Sequence, residues 1–118
     1  MGFRLYLIDD REWIRLAIKS DFRALRLACL CKTSMRQLER FFGNRFRQTP
    51  KNWLRATRVR TAAEMIQRDI PIKCVVVELR YTDASHFVRE FKKYFCCTPT
   101  EYTRTAINRV RKQDPAEF

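Results

Sequence analysis

The sequence predicts an all-α chain: two helix-turn-helix, three-helix units joined by one long linker helix, about seven helices in all. Three observations carry that prediction. First, Thr49-Pro50 opens a stretch of good helix formers that meets no further Gly or Pro until Pro71. Threonine caps a helix, and proline suits its first position, where the missing N–H costs nothing. Second, the residues before this stretch recur after it at an interval of 49. Ser34, Leu38, Arg40, Phe42 and Thr49-Pro50 reappear as Asp83, Phe87, Arg89, Phe91 and Thr98-Pro99, and an internal repeat implies two copies of one unit. Third, the chain holds only 2 glycines, neither beyond Gly43, which argues against hairpin-rich β structure and excludes a glycine-rich phosphate loop.

Taken in order, residues 1–48 form the first unit. Residues 1–8 read as a loose end. Asp9 or Asp10 caps a first helix whose apolar surface is Trp13, Ile14, Leu16, Ala17 and Ile18, ending near Ser20. Asp21 starts a second, with Phe22, Leu25, Ala28 and Cys29 at helical spacing. Lys32-Thr33 is a tight connection, and Ser34 caps a helix over 34–45 with Leu38, Phe41, Phe42 and Phe46 inward. A short helix, a tight turn and a second capped helix make a helix-turn-helix.

Residues 49–69 are the linker helix, about 27 Å long at 1.5 Å per residue. Trp53, Ala56, Ala63 and Ile66 line one face, with Arg55, Arg58, Arg60 and Arg68 around the rest. Residues 70–110 form the second unit, which opens with the ambiguous run Ile72–Leu79. Its three valines favour a strand, but the repeat and the lack of a partner strand decide for helix. Asp83 caps a helix over 84–95 with Phe87, Val88, Phe91 and Phe95 inward. Thr98-Pro-Thr-Glu101 is a capping box starting a final helix through Tyr102, Ala106 and Ile107 to about Val110, and 111–118 read as a flexible tail.

Charge is the strongest compositional signal, with 25 basic residues against 13 acidic ones, net +12, and a pI near 10.1. Of the basic residues 18 are arginine, whose planar fork suits phosphate oxygens and base edges. The pattern points to a polyanion, and a merely solvated surface is the bland alternative. No apolar run approaches the ~20 residues that span a bilayer, and no secretory signal is evident, so no membrane partner is expected. The 5 cysteines include no Cys-x-x-Cys pair and are read as free thiols. Cys29/Cys31 and Cys96/Cys97 are the candidates for a thiol sensor or soft-metal site. One histidine and no recognisable pocket motif argue against an enzyme, and neither cofactor nor metal is expected.

At this point the residues resemble a known family. Ser34, Leu38, Phe42, Thr49-Pro50, Trp53-Leu54, Arg58-Val59, Ala62 and Met65-Ile66 belong to the pattern, followed by Ile72, Val75-Val76, Tyr81-Thr-Asp83, Phe87-Val-Arg89, Phe91, Thr98-Pro99 and Tyr102. Over about residues 22–107 this is similar to the DNA-binding domain of the AraC/XylS transcription regulators. The resemblance implies seven helices, two helix-turn-helix units and one linker helix. The family usually has glycine where this chain has Arg47, Arg80 and Cys96, at helix ends where a left-handed residue is easiest. Its ligand-binding and dimerising domain is absent from this sequence, which looks like the short members that bind DNA as monomers. An excised domain would look the same.

The expected function is a sequence-specific double-stranded DNA-binding transcription regulator, placing helices 34–45 and 84–95 in successive major grooves. The helix face left free, together with the family's contacting positions, nominates Arg36, Glu39 and Arg40 for base edges in the first unit. Arginine suits guanine, and glutamate can accept from cytosine N4. The matching positions of the second unit are Ala84, Ser85, His86 and Arg89. Phosphate contacts are expected from Ser34, Gln37, Lys92 and Lys93. RNA polymerase is a compatible protein partner, and the implied location is the cytoplasm, on the nucleoid. The alternative by composition is a basic helical RNA-binding or ribosome-associated protein.

Overall fold

The computed structural model describes residues 5–104. Every regular element among them is helical: a 3-10 turn at Leu5–Leu7, then α1 Asp10–Lys19, α2 Ala24–Leu30, α3 Met35–Arg45, α4 Pro50–Gln67, α5 Ile72–Glu78 and α6 Ala84–Phe95. Helical backbone resumes at 99–104. The predicted continuation through Ala106 and Ile107 and the tail 111–118 lie outside the described residues. None of the described helices is long and apolar enough to cross a membrane.

The chain divides into two compact units, residues 1–60 and 61–118, the boundary falling within α4. In the first, α1 packs on α2 and α2 on α3. Their core gathers Trp13, Ala17, Leu27, Ala28, Cys31, Leu38 and Phe42 with Trp53 and Leu54 of α4. Leu5 and Ile8 are buried in the same cluster, so residues 5–8 are not the loose end the sequence suggested. In the second unit α5 packs on α6, and Val75, Leu79, Phe87 and Phe91 are fully buried.

Local chemistry fixes the helix ends. The Asp9 carboxylate accepts from the Glu12 N–H at 2.8 Å, and the Asp83 carboxylate accepts from the His86 N–H at the same distance. Thr49 and Thr98 act alike on α4 and on 99–104, their hydroxyl oxygens accepting at 3.2 Å from Asn52 and Glu101, with Pro50 and Pro99 buried behind them. Four helices stop the same way. After α1, α2, α4 and α5 comes a left-handed residue, Asp21, Lys32, Asp69 and Arg80 in turn, with φ of 57°, 52°, 62° and 63°, and after α1 a second one follows it. Its N–H and the next one bond back to the last turn, as Lys32 to Cys29 O at 3.1 Å and Thr33 to Ala28 O at 3.0 Å, a Schellman motif.

These stops sharpen the repeat. Asp21/Asp69 and Lys32/Arg80 are 48 residues apart, while Ser34/Asp83 and Arg47/Cys96 are 49 apart. The turn before α6 therefore carries one residue more than the turn before α3. The end of α4 stands to α5 as α1 stands to α2, so α4 closes one unit and opens the next.

Two expectations need correction. The second helix begins at Ala24, not Asp21, because Asp21 and Phe22 are both left-handed, Phe22 at φ 58°. For so bulky a residue that conformation is rare. It is held by the Phe22 N–H on Ala17 O at 2.9 Å and by the Arg58 guanidinium over the ring at 5.1 Å. The buried face of α2 is accordingly Leu27, Ala28 and Cys31, with Leu25 and Cys29 exposed. Nor does α4 bury a single stripe. At about 100° per residue, Pro50, Trp53 and Leu54 fall on one side, and Val59, Ala62, Ala63 and Ile66 on another.

Cys96, in the left-handed position ending α6 at φ 62°, is exposed. Replacing it by glycine removes a Cβ from a conformation that penalises one. Cys96→Gly is expected to stabilise the chain by about 0.5–1 kcal/mol, and Cys96→Val to destabilise it by as much or more. Urea denaturation of the three proteins checks the order.

Candidate nucleic-acid interface

In the first unit the candidate surface is the solvent face of α3. Leu38 and Phe42 are fully buried, which turns Arg36, Glu39 and Arg40 outward, and all three are exposed. Arg36 and Glu39 do not pair: among the described residues none of these three side chains makes an ion pair. Arg45, at the far end of α3, is engaged with Asp10 at 3.1 Å. The start of α3 is a full capping box, Ser34 Oγ accepting from the Gln37 N–H at 3.1 Å and Gln37 Oε1 accepting from the Ser34 N–H at 3.5 Å. Gln37 Oε1 also accepts from the Thr33 hydroxyl at 2.8 Å. Both cap side chains are exposed, and the Gln37 amide N–H groups remain available as donors.

In the second unit the corresponding surface is on α6. Phe87 and Phe91 are fully buried, and Ala84, Ser85, Arg89, Lys92 and Lys93 are exposed. His86 is half-buried and engaged. Its Nδ1 accepts from the Thr82 N–H at 3.4 Å, its Nε2 faces Glu90 Oε2 at 3.6 Å, and the Tyr81 ring stands edge-on to it at 5.3 Å. The Tyr81 hydroxyl lies 3.3 Å from the other oxygen of Glu90 and donates to it. His86 thus differs from its neighbours Ala84, Ser85 and Arg89, which point to solvent unencumbered.

Trp53 and Tyr102 are core rings rather than stacking platforms. Trp53 packs edge-on against Phe42 at 5.2 Å, and Tyr102 packs edge-on against Phe91 at 5.3 Å. The two units repeat this contact at equivalent positions.

A basic feature escaped the sequence reading. Between Glu39 and Glu64 the chain carries no acidic residue but seven cations, from Arg40 to Arg60. Of these, Arg47 just before α4, and Lys51 and Arg55 within it, are exposed. Net charge does not reveal such a stretch. The run of positions without Asp or Glu does.

The cysteines are all free, and no cluster of metal-binding side chains occurs among the described residues. Cys31 is 1% exposed, and burial pushes its thiol up from 9.0 to about 11, the behaviour of a core residue and not of a reactive thiol.

No curated protein matches the chain. A family model described as a helix-turn-helix domain matches residues 27–105, from α2 to the start of the final helix. The fold is similar to the crystal structure of a transcriptional regulator from Chromobacterium violaceum, of the AraC-type DNA-binding domain-containing proteins. That likeness has a TM-score of 0.65 at 21% identity, covering 80% of this chain and 88% of that one, and at such identity it speaks for the fold. With the family model spanning both turn-and-helix pairs, the chain belongs to the AraC-type helix-turn-helix family of DNA-binding transcription regulators.

Proposed function

We propose that the protein reads a specific double-stranded DNA site, with α3 and α6 entering successive major grooves. One observation carries the reading. Each unit presents a capped helix with its aromatic face buried, and the exposed positions opposite carry Arg36, Glu39 and Arg40 on α3 and Ala84, Ser85 and Arg89 on α6. Arginine offers bidentate hydrogen bonds to guanine O6 and N7, Glu39 accepts from a cytosine amine, and Ala84 offers a methyl to thymine. Ser34, Gln37, Lys92 and Lys93 serve phosphates, joined by Arg47, Lys51 and Arg55. Neighbouring major-groove faces recur about every 34 Å. An 18-residue α4 is roughly 27 Å long, of the same order as that spacing though shorter than it.

Selection of bound duplexes from a random library tests this directly: two boxes about 10 bp apart should emerge. If ribosomal RNA competes as well as the selected duplex, the reading moves to RNA. On that duplex Arg36→Ala and Arg89→Ala should each cost about 1–3 kcal/mol, and much less on random DNA. Equal losses on both, by fluorescence anisotropy at one salt concentration, would reassign these side chains to the backbone.

A further inference from the structure

Gly43 is the single glycine among the described residues, and nothing within the protein accounts for it. It lies in the last turn of α3, and within a helix glycine is the least favourable residue but proline. Glycine is ordinarily placed for a positive φ, a helix stop or a close internal approach. The φ of Gly43 is not positive. The helix ends instead at Phe46, and Arg47 supplies the left-handed residue beyond it, at φ 59°. A Cβ added at Gly43 would meet nothing within 4 Å among the described residues. The fold therefore has room for a side chain there, and a better helix former would strengthen it.

The position is on the candidate reading face. At about 100° per residue, Gly43 falls within about 20° of Arg36 around the helix axis, between Glu39 and Arg40, and roughly 10 Å further along. Gly43 is exposed, as those three side chains are, so the stripe runs Arg36, Glu39 and Arg40 and then a bare turn of main chain. In the second unit the position 49 residues on is Lys92, exposed on α6. The two surfaces differ here by a whole side chain, a long cation on one and main chain alone on the other. A helix with its side chains is about 10–12 Å across and the major groove about 12 Å wide, so the side chains on the inward stripe set how deeply the helix sinks.

We propose that Gly43 is a positioning residue of the first unit: its missing side chain lets the duplex approach the main chain in the last turn of α3, and so brings Glu39 and Arg40, one turn earlier, within reach of their bases. The role rests on the DNA-reading function proposed above.

Gly43→Ala, Gly43→Gln and Gly43→Lys in the full chain test it, with thermal melts beside anisotropy titrations at one salt concentration. Gly43→Ala should raise the thermal midpoint, because alanine is the better helix former. It should nevertheless bind the selected duplex about tenfold more weakly, the weight of one base contact, and random duplex as before. Gly43→Gln should lose more. Gly43→Lys should also bind the selected duplex more weakly, although its added charge strengthens binding to random DNA. The lost discrimination should fall on the box that Arg36→Ala ceases to read, with preference at the other box kept. A lower midpoint for Gly43→Ala would assign the glycine to the fold and overturn the proposal. Undiminished binding of the selected duplex by Gly43→Ala overturns it as well, and so does tighter binding of both DNAs by Gly43→Lys, which would make the position a vacant phosphate contact. If the unaltered protein prefers no duplex, the DNA-reading function itself fails and takes the proposal with it. If that preference is intact and Gly43→Ala is unimpaired, the close approach alone fails.

Discussion

Trp13→Ala should destabilise the first unit by about 3–5 kcal/mol, the largest loss expected from any single substitution in this chain. Trp13 is fully buried. Its indole stacks on Phe41 at 5.6 Å and meets Phe42, Phe46 and Trp53 edge-on at 5.0, 6.3 and 6.2 Å. Removing it leaves a cavity bounded by α1, α3 and the first turn of α4, whose backbones cannot all close inward. A domain this small has about 5–15 kcal/mol in total, so Tm should fall by roughly 15 °C or more. Phenylalanine should be far milder. Among the described residues the buried Trp13 Nε1–H meets no acceptor, and Trp13→Phe removes that donor along with part of the ring volume. Thermal melts followed by circular dichroism separate the two variants. A loss below about 1 kcal/mol for Trp13→Ala would mean that the aromatic cluster is not what holds α1 to α3.

Moving the two boxes of the selected duplex apart by five base pairs should weaken binding by about a hundredfold or more. Half a helical turn carries one box to the far side of the duplex, while α4 remains an uninterrupted helix. The base contacts of one unit are then forfeited together, each worth about 1–3 kcal/mol. A full-turn displacement should also weaken binding, because the helix cannot lengthen. Anisotropy titrations on the three duplexes at one salt concentration give the answer. Equal affinities on all of them would mean that a single unit reads bases and the other only holds phosphate.

Much of the architecture was legible because short-range chemistry fixes it. Ser34, Thr49, Asp83 and Thr98 announce helix starts by side chain alone, and each bonds an N–H three residues on. The inward faces of α3 and α6 followed from 3.6-residue spacing. What was missed depends on tertiary context. A left-handed Phe22 has no local signature, since only the packing around it makes the conformation tolerable. Leu5 and Ile8 find their partners in a core assembled from residues far along the chain. The burial of α4 was misread as one stripe because its two halves serve different cores, and their patterns cancel when averaged over the helix. At the candidate surface the exposed arginines were legible as the residue of the face. The engagement of His86 was not, because Tyr81, Thr82 and Glu90 reach it only once the longer turn is in place.

Helix α4 donates Trp53 and Leu54 to the core of the first unit, while Ala62, Ala63 and Ile66 are buried in the second. The duplicated halves are therefore not interchangeable cassettes. Recombination that split the gene between them would leave one product without a lid and the other without its opening helix. Divergence of the two halves must then proceed by point substitution, as the exchange of an amide for an imidazole at Gln37 and His86 illustrates.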